Sequence, residues 1–169
     1  MRFLSPIILT TLSWLLISPA RADIVSILPC ESSGITLHTD DRDGLYDGVS
    51  QGGMSLVLHN AGKRACRLPP LPALKFSDAE HRPLTAERRT ARGMHPGPAL
   101  PPVIVPAGED LQILLRWVGS DAFEGGNCIR PAFVSLSLGG GTLTTSFNRT
   151  MCAAKGQTGY YSQSLTGTP

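Results

Sequence analysis

The stretch NCIRPAFVSLSLGGGTLTTSFNRTMC, from Asn127 to Cys152, decides the fold prediction for this chain. Two runs in which apolar residues alternate with polar ones flank three consecutive glycines, a pattern typical of two antiparallel strands joined by a tight turn. Cys128 and Cys152 lie equally far from Gly140. A three-residue glycine loop would therefore place these two cysteines opposite each other at the base of a β-hairpin.

The apolar side chains of this hairpin conflict with that register. The core candidates of the first run, Val134 and Leu136, have even numbers, whereas Leu143 and Phe147 of the second have odd ones. Pairing across a three-residue loop would set the two groups on opposite faces of the hairpin. A bulge or a four-residue loop would realign them.

The rest of the chain has the same character. Short runs rich in leucine and β-branched residues are separated by glycine, proline and asparagine, and no long segment has helical periodicity. Seven runs are predicted as strands: residues 35–39, 54–60, 73–77, 102–105, 111–118, 132–138 and 142–148. The sequence therefore predicts an all-β fold, an immunoglobulin-like antiparallel β-sandwich of about seven strands. Trp117 ends an apolar run and is a candidate core residue.

Four cysteines, Cys30, Cys66, Cys128 and Cys152, fit two disulfides. No two of them have the C-x-x-C spacing of a redox motif or a zinc site. Pairing Cys30 with Cys66 and Cys128 with Cys152 would close two hairpins, and the spacing favours this arrangement. The alternative, Cys66 with Cys128 and Cys30 with Cys152, would bridge more distant strands and stays open.

The chain opens MRFLSPIILTTLSWLLISPARAD, which has the order of a secretory signal: a basic residue, an apolar run and a small-residue cleavage site. We predict cleavage after Ala22. The apolar run from Leu4 to Ile17 is shorter than the roughly 20 residues that a spanning helix needs, and we expect no transmembrane segment in the mature chain. Residues 23–152 are predicted to form one β-sandwich domain, and residues 153–169 a polar, flexible C-terminal tail.

The predicted removal of the signal segment bears on the net charge of the chain and on the compartment in which it folds. Without Arg2 and Arg21 the chain has equal numbers of basic and acidic residues, so it lacks the basic excess of a nucleic-acid-binding protein. An even number of cysteines in an exported chain is typical of disulfides formed in an oxidising compartment. We therefore expect a periplasmic or extracellular protein of a bacterium.

Several short motifs, taken in order, resemble a known family. Cys30 opens the domain, HNAGKRAC (His59 to Cys66) closes the second strand, and Pro106-Ala107-Gly108 leads into a strand that ends Leu115-Arg116-Trp117. Cys128-Ile129-Arg130-Pro131 and Cys152 complete the series. The chain resembles the bacterial secreted family known as domain of unknown function 4232. The resemblance implies an immunoglobulin-like sandwich in the bacterial envelope, and it implies no activity.

Two groups of residues are candidate metal ligands. Imidazole and thioether groups suit copper, and this chain offers them at His38, His59, Met54 and Met94. His38 and His59 lie on two predicted strands that are expected to pair, so their side chains could come close together. No H-x-H, H-x-M or H-x-x-x-H spacing supports a copper site. We therefore expect solvent-facing histidines and no bound metal cofactor.

The acidic loop TDDRDGLYDG contains the second group. Asp41, Asp43 and Asp47 offer carboxylate oxygens, which are calcium ligands. The position that an EF-hand gives to a bidentate glutamate is Ser50 in this chain, so the loop is expected to be solvated and metal-free.

One segment is distinctly basic. Residues 82–98 contain Arg82, Arg88, Arg89 and Arg92 against a single glutamate. Such a segment could dock an envelope protein or an anionic surface, or it could be a long solvated connection. Charge reversal of its arginines would separate these two interpretations.

Enzyme signatures are absent from the sequence. It has no G-x-S-x-G elbow, no H-E-x-x-H, no P-loop and no dinucleotide fingerprint. We predict a non-enzymatic exported module that binds an envelope partner through its loops. A periplasmic copper-binding protein and a cell-wall hydrolase are the alternatives.

Overall fold

Strands account for most of the secondary structure in the computed structural model, which describes residues 26–89, 100–120 and 122–166. The predicted signal segment, residues 1–22, lies outside these ranges, as do Arg92 and Met94. A 3-10 turn, Ser32–Gly34, precedes the first strand. Among the described residues, no helix is long and apolar enough to span a membrane.

Thirteen strands occupy the described residues. In chain order they are β1 (Ile35–Asp40), β2 (Gln51–Asn60), β3 (Cys66–Leu68), β4 (Leu74–Ser77), β5 (Pro83–Leu84), β6 (Ala86–Arg88), β7 (Val103–Val105), β8 (Asp110–Val118), β9 (Asn127–Ile129), β10 (Phe133–Leu138), β11 (Gly141–Ser146), β12 (Met151–Ala153) and β13 (Gly159–Thr166). The seven predicted runs correspond to β1, β2, β4, β7, β8, β10 and β11. The predicted strand count was too low because the other six strands are short or polar.

The strands form four sheets. The larger two have the orders β1-β2-β8-β13-β6 and β11-β10-β4-β5, and the smaller two pair β12 with β9 and β3 with β7. Every named pair is antiparallel except β13 with β6, which is parallel. The all-β prediction is confirmed, whereas a purely antiparallel arrangement is not observed.

The inward faces of the two larger sheets contribute to one apolar core. Its fully buried side chains include Leu56, Ile113 and Leu115 from the five-stranded sheet and Val134 and Leu136 from the four-stranded sheet. Each such side chain contributes roughly 1.5–3 kcal/mol when it is buried. Burial of every second side chain in this core therefore explains why apolar and polar residues alternate along the strands.

Aromatic rings extend this core where the two sheets meet. The ring of Phe147 lies 5.0 Å from that of Trp117 and 5.3 Å from that of Phe76. Trp117 is 2% exposed, so its predicted core position is confirmed. Tyr161 completes the cluster, 5.2 Å from Phe76.

The β10–β11 hairpin has a two-residue turn instead of the three-residue loop predicted. Leu138 pairs with Gly141 and Leu136 with Leu143, which sets the apolar side chains on one face. The carbonyl of Ala132 accepts hydrogen bonds from the amides of both Phe147 (2.7 Å) and Asn148 (3.4 Å). This bulge shifts the register by one residue, so the pairing still brings Cys128 opposite Cys152 in β9 and β12.

Both disulfides have the favoured connectivity. Cys30 is bonded to Cys66 and Cys128 to Cys152, which excludes the alternative pairing. No cysteine of the chain is free.

The C-terminal segment forms a strand in place of the flexible tail predicted for residues 153–169. β13 lies between β8 and β6, and it pairs with β8 over residues 161–166. Tyr161 is buried there, whereas Ser162 and Ser164 are exposed. Composition suggested a tail because half of this strand is polar, but β8 supplies backbone partners that composition does not reveal.

Two ends of the domain matter below. The loop end is formed by residues 41–50, 119–126 (Asp121 excepted, which is not described) and 147–150, the connections that follow β1, β8 and β11. The Cys30 end lies at the opposite ends of these strands and comprises residues 26–34 and 60–66 with the Cys30–Cys66 disulfide.

Candidate functional site

A cavity of about 390 Å³ opens at the loop end. Its walls come from residues 47–52, from Trp117 with Gly119 and Ser120, and from residues 148–150. Three connections that are far apart in the sequence therefore meet around one depression, because β1, β2, β8 and β11 all start or end at this side of the core.

Hydrogen bonds hold the wall formed by residues 47–52. The amide of Gly53 donates to the carboxylate of Asp47 (3.3 Å), and the amide of Gly119 donates to the carbonyl of Ser50 (3.0 Å). The hydroxyl of Ser120 donates to the carbonyl of Val49 (3.4 Å). These bonds fix the β1–β2 connection against the end of β8.

Glycines allow the cavity floor to pack closely. A Cβ added to Gly52 would lie 2.7 Å from Nε1 of Trp117, closer than atoms can approach. A Cβ on Gly119 would lie 3.0 Å from the amide nitrogen of Gly52. The indole can therefore form part of the cavity wall only because these two positions lack side chains.

Arg149 is the cation among the lining residues. Its Nη2 donates to the carboxylate of Asp41, and its side chain is 34% exposed. Its Nε is buried and has no hydrogen-bond partner in the part of the chain that the structure describes. A guanidinium has five N–H donors, and leaving a buried donor unpaired costs roughly 1–3 kcal/mol. The site therefore has an unused donor beside its charged pair.

The rim of this end bears exposed apolar side chains. Leu45 is 71% exposed and Val49 is 100% exposed, the highest values among the large apolar residues that the structure describes. Apolar side chains this exposed on a polar loop are available to a partner, whereas the core gains nothing from them.

A second depression, of about 500 Å³, lies at the Cys30 end between residues 26–35 and 60–66. Its apolar wall includes Leu28, which is exposed and stands two residues after the first described residue. Leu100, also exposed, opens the second described range. This depression is lined by two segments, whereas three connections meet at the loop end.

The acidic residues of the β1–β2 connection already have protein partners. Asp41 binds Arg149 and accepts the amide of Asp43, whereas Asp47 accepts the amide of Gly53. In the described ranges, no group of three or more histidines, cysteines or acidic residues is placed to hold a metal ion. The structure therefore does not assemble a calcium site from these three aspartates.

The copper candidates are likewise not brought together. β1 pairs with β2, and His38 and His59 share the outer face of that sheet as diagonal neighbours. Met54 lies on the inner face and is buried in the core, so it cannot share a metal with them. Nδ1 of His59 instead lies 2.7 Å from a carboxylate oxygen of Asp110.

The His59–Asp110 pair deserves comparison with a catalytic dyad, because a carboxylate commonly orients a histidine base. The pair sits on an open sheet face where His59 opposes Thr36 and Asp110. Across the described ranges, no serine, threonine or cysteine side chain is hydrogen-bonded to His59. His59 therefore has a carboxylate that could orient it, Asp110, but no nucleophilic side chain of the described residues is hydrogen-bonded to it.

The basic segment does not form one long loop. Its first half contains β5, which pairs with β4, and β6, which pairs with β13, so the chain crosses here from one large sheet to the other. Arg88 donates to the carbonyl of Leu71 (3.0 Å), and the guanidinium of Arg89 lies 3.4 Å above the ring of Tyr160.

Arg82 is engaged by two acidic neighbours. It donates to Asp78 (2.7 Å) and Glu80 (2.9 Å). Desolvation raises the pKa of Asp78, and the hydrogen bonds and charge of Arg82 outweigh it, so the pKa lies below its usual value. The three described arginines of the segment are thus held by different local partners.

Sequence reasoning missed Arg149, Leu45 and Val49 as site residues. Arg149 lies in an irregular connection, and its contact with Asp41 joins two residues that are 108 positions apart in the sequence. Leu45 and Val49 did carry a signal, because they are large apolar residues within an otherwise acidic, glycine-rich loop.

These features define a class: an all-β, disulfide-bonded domain whose connections enclose a polar cavity at one end. The chain belongs to the family described as Domain of unknown function (DUF4232), whose model matches residues 30–169. The match includes β13 and so agrees with a domain that extends past Cys152. No curated protein and no solved structure matches this chain. Two disulfides are typical of proteins that fold outside the cytosol, in an oxidising compartment.

Proposed function

We propose that this protein is a non-enzymatic, exported envelope module that binds a partner through its loop end. The convergence of three connections around the loop-end cavity carries this proposal. Binding residues are disproportionately found on loops that a rigid scaffold positions, and the two larger sheets provide such a scaffold.

The proposal includes the finer points of architecture and location. The domain is an immunoglobulin-like sandwich, its signal segment is removed after Ala22, and the mature protein resides in the periplasm or outside the cell. The face-to-face core of the two larger sheets supports the first point, and the order of residues in segment 1–22 supports the second. The disulfides support the third.

Charge and apolar exposure favour the loop end over the basic segment. The described arginines of that segment already bind Asp78, Glu80, Leu71 and Tyr160 within the protein. Leu45 and Val49, by contrast, expose most of their surface to solvent. Removing them from water on binding a partner is favourable, and it costs the core nothing.

Site-specific photo-crosslinking in cells that export the protein tests this function. A benzophenone side chain is introduced at Val49 or Leu45, and at Ile104 as a control. Ile104 is 43% exposed on β7. We expect a discrete crosslinked product from Val49 and Leu45 and none from Ile104.

Two results would contradict the proposal. Equal products from all three positions would indicate unspecific contact. A product obtained only from a further benzophenone at position 88, and lost on reversing the charges of Arg89 and Arg92, would place binding on the basic segment instead.

A further inference from the structure

We propose that the loop-end cavity binds one residue of a neutral saccharide. This inference rests on the proposed function, since it names the ligand class for the same end of the domain. Its basis is the size, polarity and charge of the cavity walls.

The size fits a small ligand. The cavity measures about 390 Å³, and pockets for small molecules run from roughly 300 to 1,000 Å³. It lies at the solvent-facing end of the domain, between connections that rise on three sides. A single sugar unit of a longer chain could enter while its neighbours remain outside.

The walls contain both hydrogen-bond donors and acceptors. Ser50, Ser120 and Thr150 contribute hydroxyls, and Asn148 contributes an amide. Each hydroxyl can donate one hydrogen bond and accept others, and an amide does both. Sugar hydroxyls have the same dual character, so they match such a wall better than a ligand that only accepts or only donates.

Local charge disfavours an ionic ligand. Arg149 and Asp47 are the cation and the anion among the lining residues, and Arg149 is also paired with Asp41, which is not a lining residue. An anion entering the cavity would be repelled by Asp47 and Asp41, and it would compete with Asp41 for Arg149. A cation would face the guanidinium. A neutral ligand avoids both penalties.

Unused donors and an apolar surface complete the match. Asp41 takes one N–H of Arg149, and the buried Nε–H lacks an acceptor in the described part of the chain. A small rotation of the guanidinium would present donors to neutral oxygens of a sugar. Val49 adds an exposed apolar side chain at the rim, against which the C–H face of a pyranose can pack, and Trp117 lies buried beneath the cavity floor.

Fluorescence provides a direct test. The chain has two tryptophans, and Trp14 belongs to the segment predicted to be removed, so Trp117 is the single reporter in the exported protein. The purified exported protein is titrated with neutral hexoses, neutral N-acetylhexosamines and their disaccharides. We expect a saturating change in Trp117 emission with at least one of them.

Variants locate the response. Thr150→Val removes a cavity hydroxyl at nearly constant volume and should weaken binding about tenfold, the effect of about one lost hydrogen bond. Thr142→Val, at an exposed position on β11, is the matched control and should leave binding unchanged. Ser120→Ala, on an exposed connection, gives a second cavity variant if Thr150→Val does not fold.

Three outcomes would overturn the inference. These are no response to any neutral saccharide, a response that both cavity variants retain, and a response confined to carboxylates or anionic saccharides. If Val49 still crosslinks to a partner while saccharides give no response, the sugar inference fails and the loop-end function stands. If saccharides bind but Val49 yields no product in cells, the proposed partner contact fails.

Discussion

The two ends of this domain are built differently from the same strands. The Cys30 end is closed by a disulfide and by the buried side chain of Asn60, which binds backbone groups of the connection that follows it and of β7. The loop end also has a disulfide beside it, Cys128–Cys152, but its connections are held by glycine-lined packing, one ion pair and a few hydrogen bonds. The comparison teaches that one core can support two ends that are held by different kinds of contact.

The largest expected effect concerns the two disulfides. The Cys30–Cys66 bond closes a separation of 36 residues and the Cys128–Cys152 bond one of 24. A cross-link stabilises mainly by restricting the unfolded chain, so replacing either pair by alanine should cost about 4 kcal/mol. The two costs should differ by only a few tenths of a kcal/mol, measured by urea unfolding.

The two losses of unfolding free energy would no longer be nearly equal if the two ends of the domain folded independently. A loss below about 1 kcal/mol for the Cys128–Cys152 variant, with the full loss for the other, would mean that the loop end already folds without its cross-link. Peptide mapping of each variant under non-reducing conditions shows that the remaining disulfide is intact.

The next effect concerns Asn60 at the Cys30 end. Its amide donates to the carbonyls of Arg64 (2.9 Å) and Val105 (3.0 Å), and its oxygen accepts the amide of Gly62 (3.0 Å). Asn60→Ala leaves these groups without partners in a buried setting and should lower the free energy of unfolding by about 2–4 kcal/mol.

Asn127→Ala is the matched control, because its side chain is exposed and makes one longer bond, 3.3 Å to the carbonyl of Gln157. It should cost no more than about 0.5 kcal/mol. Equal losses in the two variants, measured by thermal and urea unfolding, would show that Asn60 has no special part in fixing the Cys30 end.

A smaller effect is expected at Gly52 in the cavity floor. Gly52→Ala would force the new methyl group against the Trp117 indole, 2.7 Å from Nε1, and should destabilise the protein by about 1–3 kcal/mol. Emission of Trp117 should change as well, because the ring must move. Gly34→Ala meets nothing within 4 Å and should leave both properties within error.

If Gly52→Ala changed neither the free energy of unfolding nor the emission of Trp117, the indole would not be packed closely against position 52. Saccharide titration of the same variant sharpens the comparison further, since displacement of Trp117 should also weaken the cavity response.

The smallest effect depends on pH. Burial raises the pKa of Tyr161, against a lowering influence of the Arg88 charge. A tyrosine whose pKa is raised in the folded state favours folding below the unfolded value of about 10. That contribution is lost as the pH rises through the folded-state pKa, because only the unfolded chain then releases the proton readily.

Tyr161→Phe should therefore flatten the decline in stability above about pH 10, relative to the unchanged protein. Tyr160→Phe, at the half-buried neighbouring position, is the control. Parallel slopes for all three proteins would contradict the role assigned to burial.

Much of the strand framework could be predicted because it depends on local alternation. Residues 35–39 and 111–118 fall within β1 and β8, where every second side chain faces the core. β13 escaped prediction, since residues 159–166 are polar enough to suggest a tail and become a strand only beside β8. β9 and β12 are too short for periodicity to reveal.

The candidate site was less predictable. The basic segment attracted attention through its composition, yet its described arginines are held by neighbours that the sequence does not identify. Arg149 and Asp41 form a pair only because the core places the ends of β1 and β11 together.

By itself, the sequence determined the all-β class, the family and the number of disulfides, because alternation, motif order and cysteine count are written directly along the chain. Only the tertiary structure decided which cysteines pair, the two-residue hairpin turn, the place of β13 and the loop-end cavity. The physical reason is that these features depend on which strands pair and on the side chains that meet across the core, and such partners lie many residues apart.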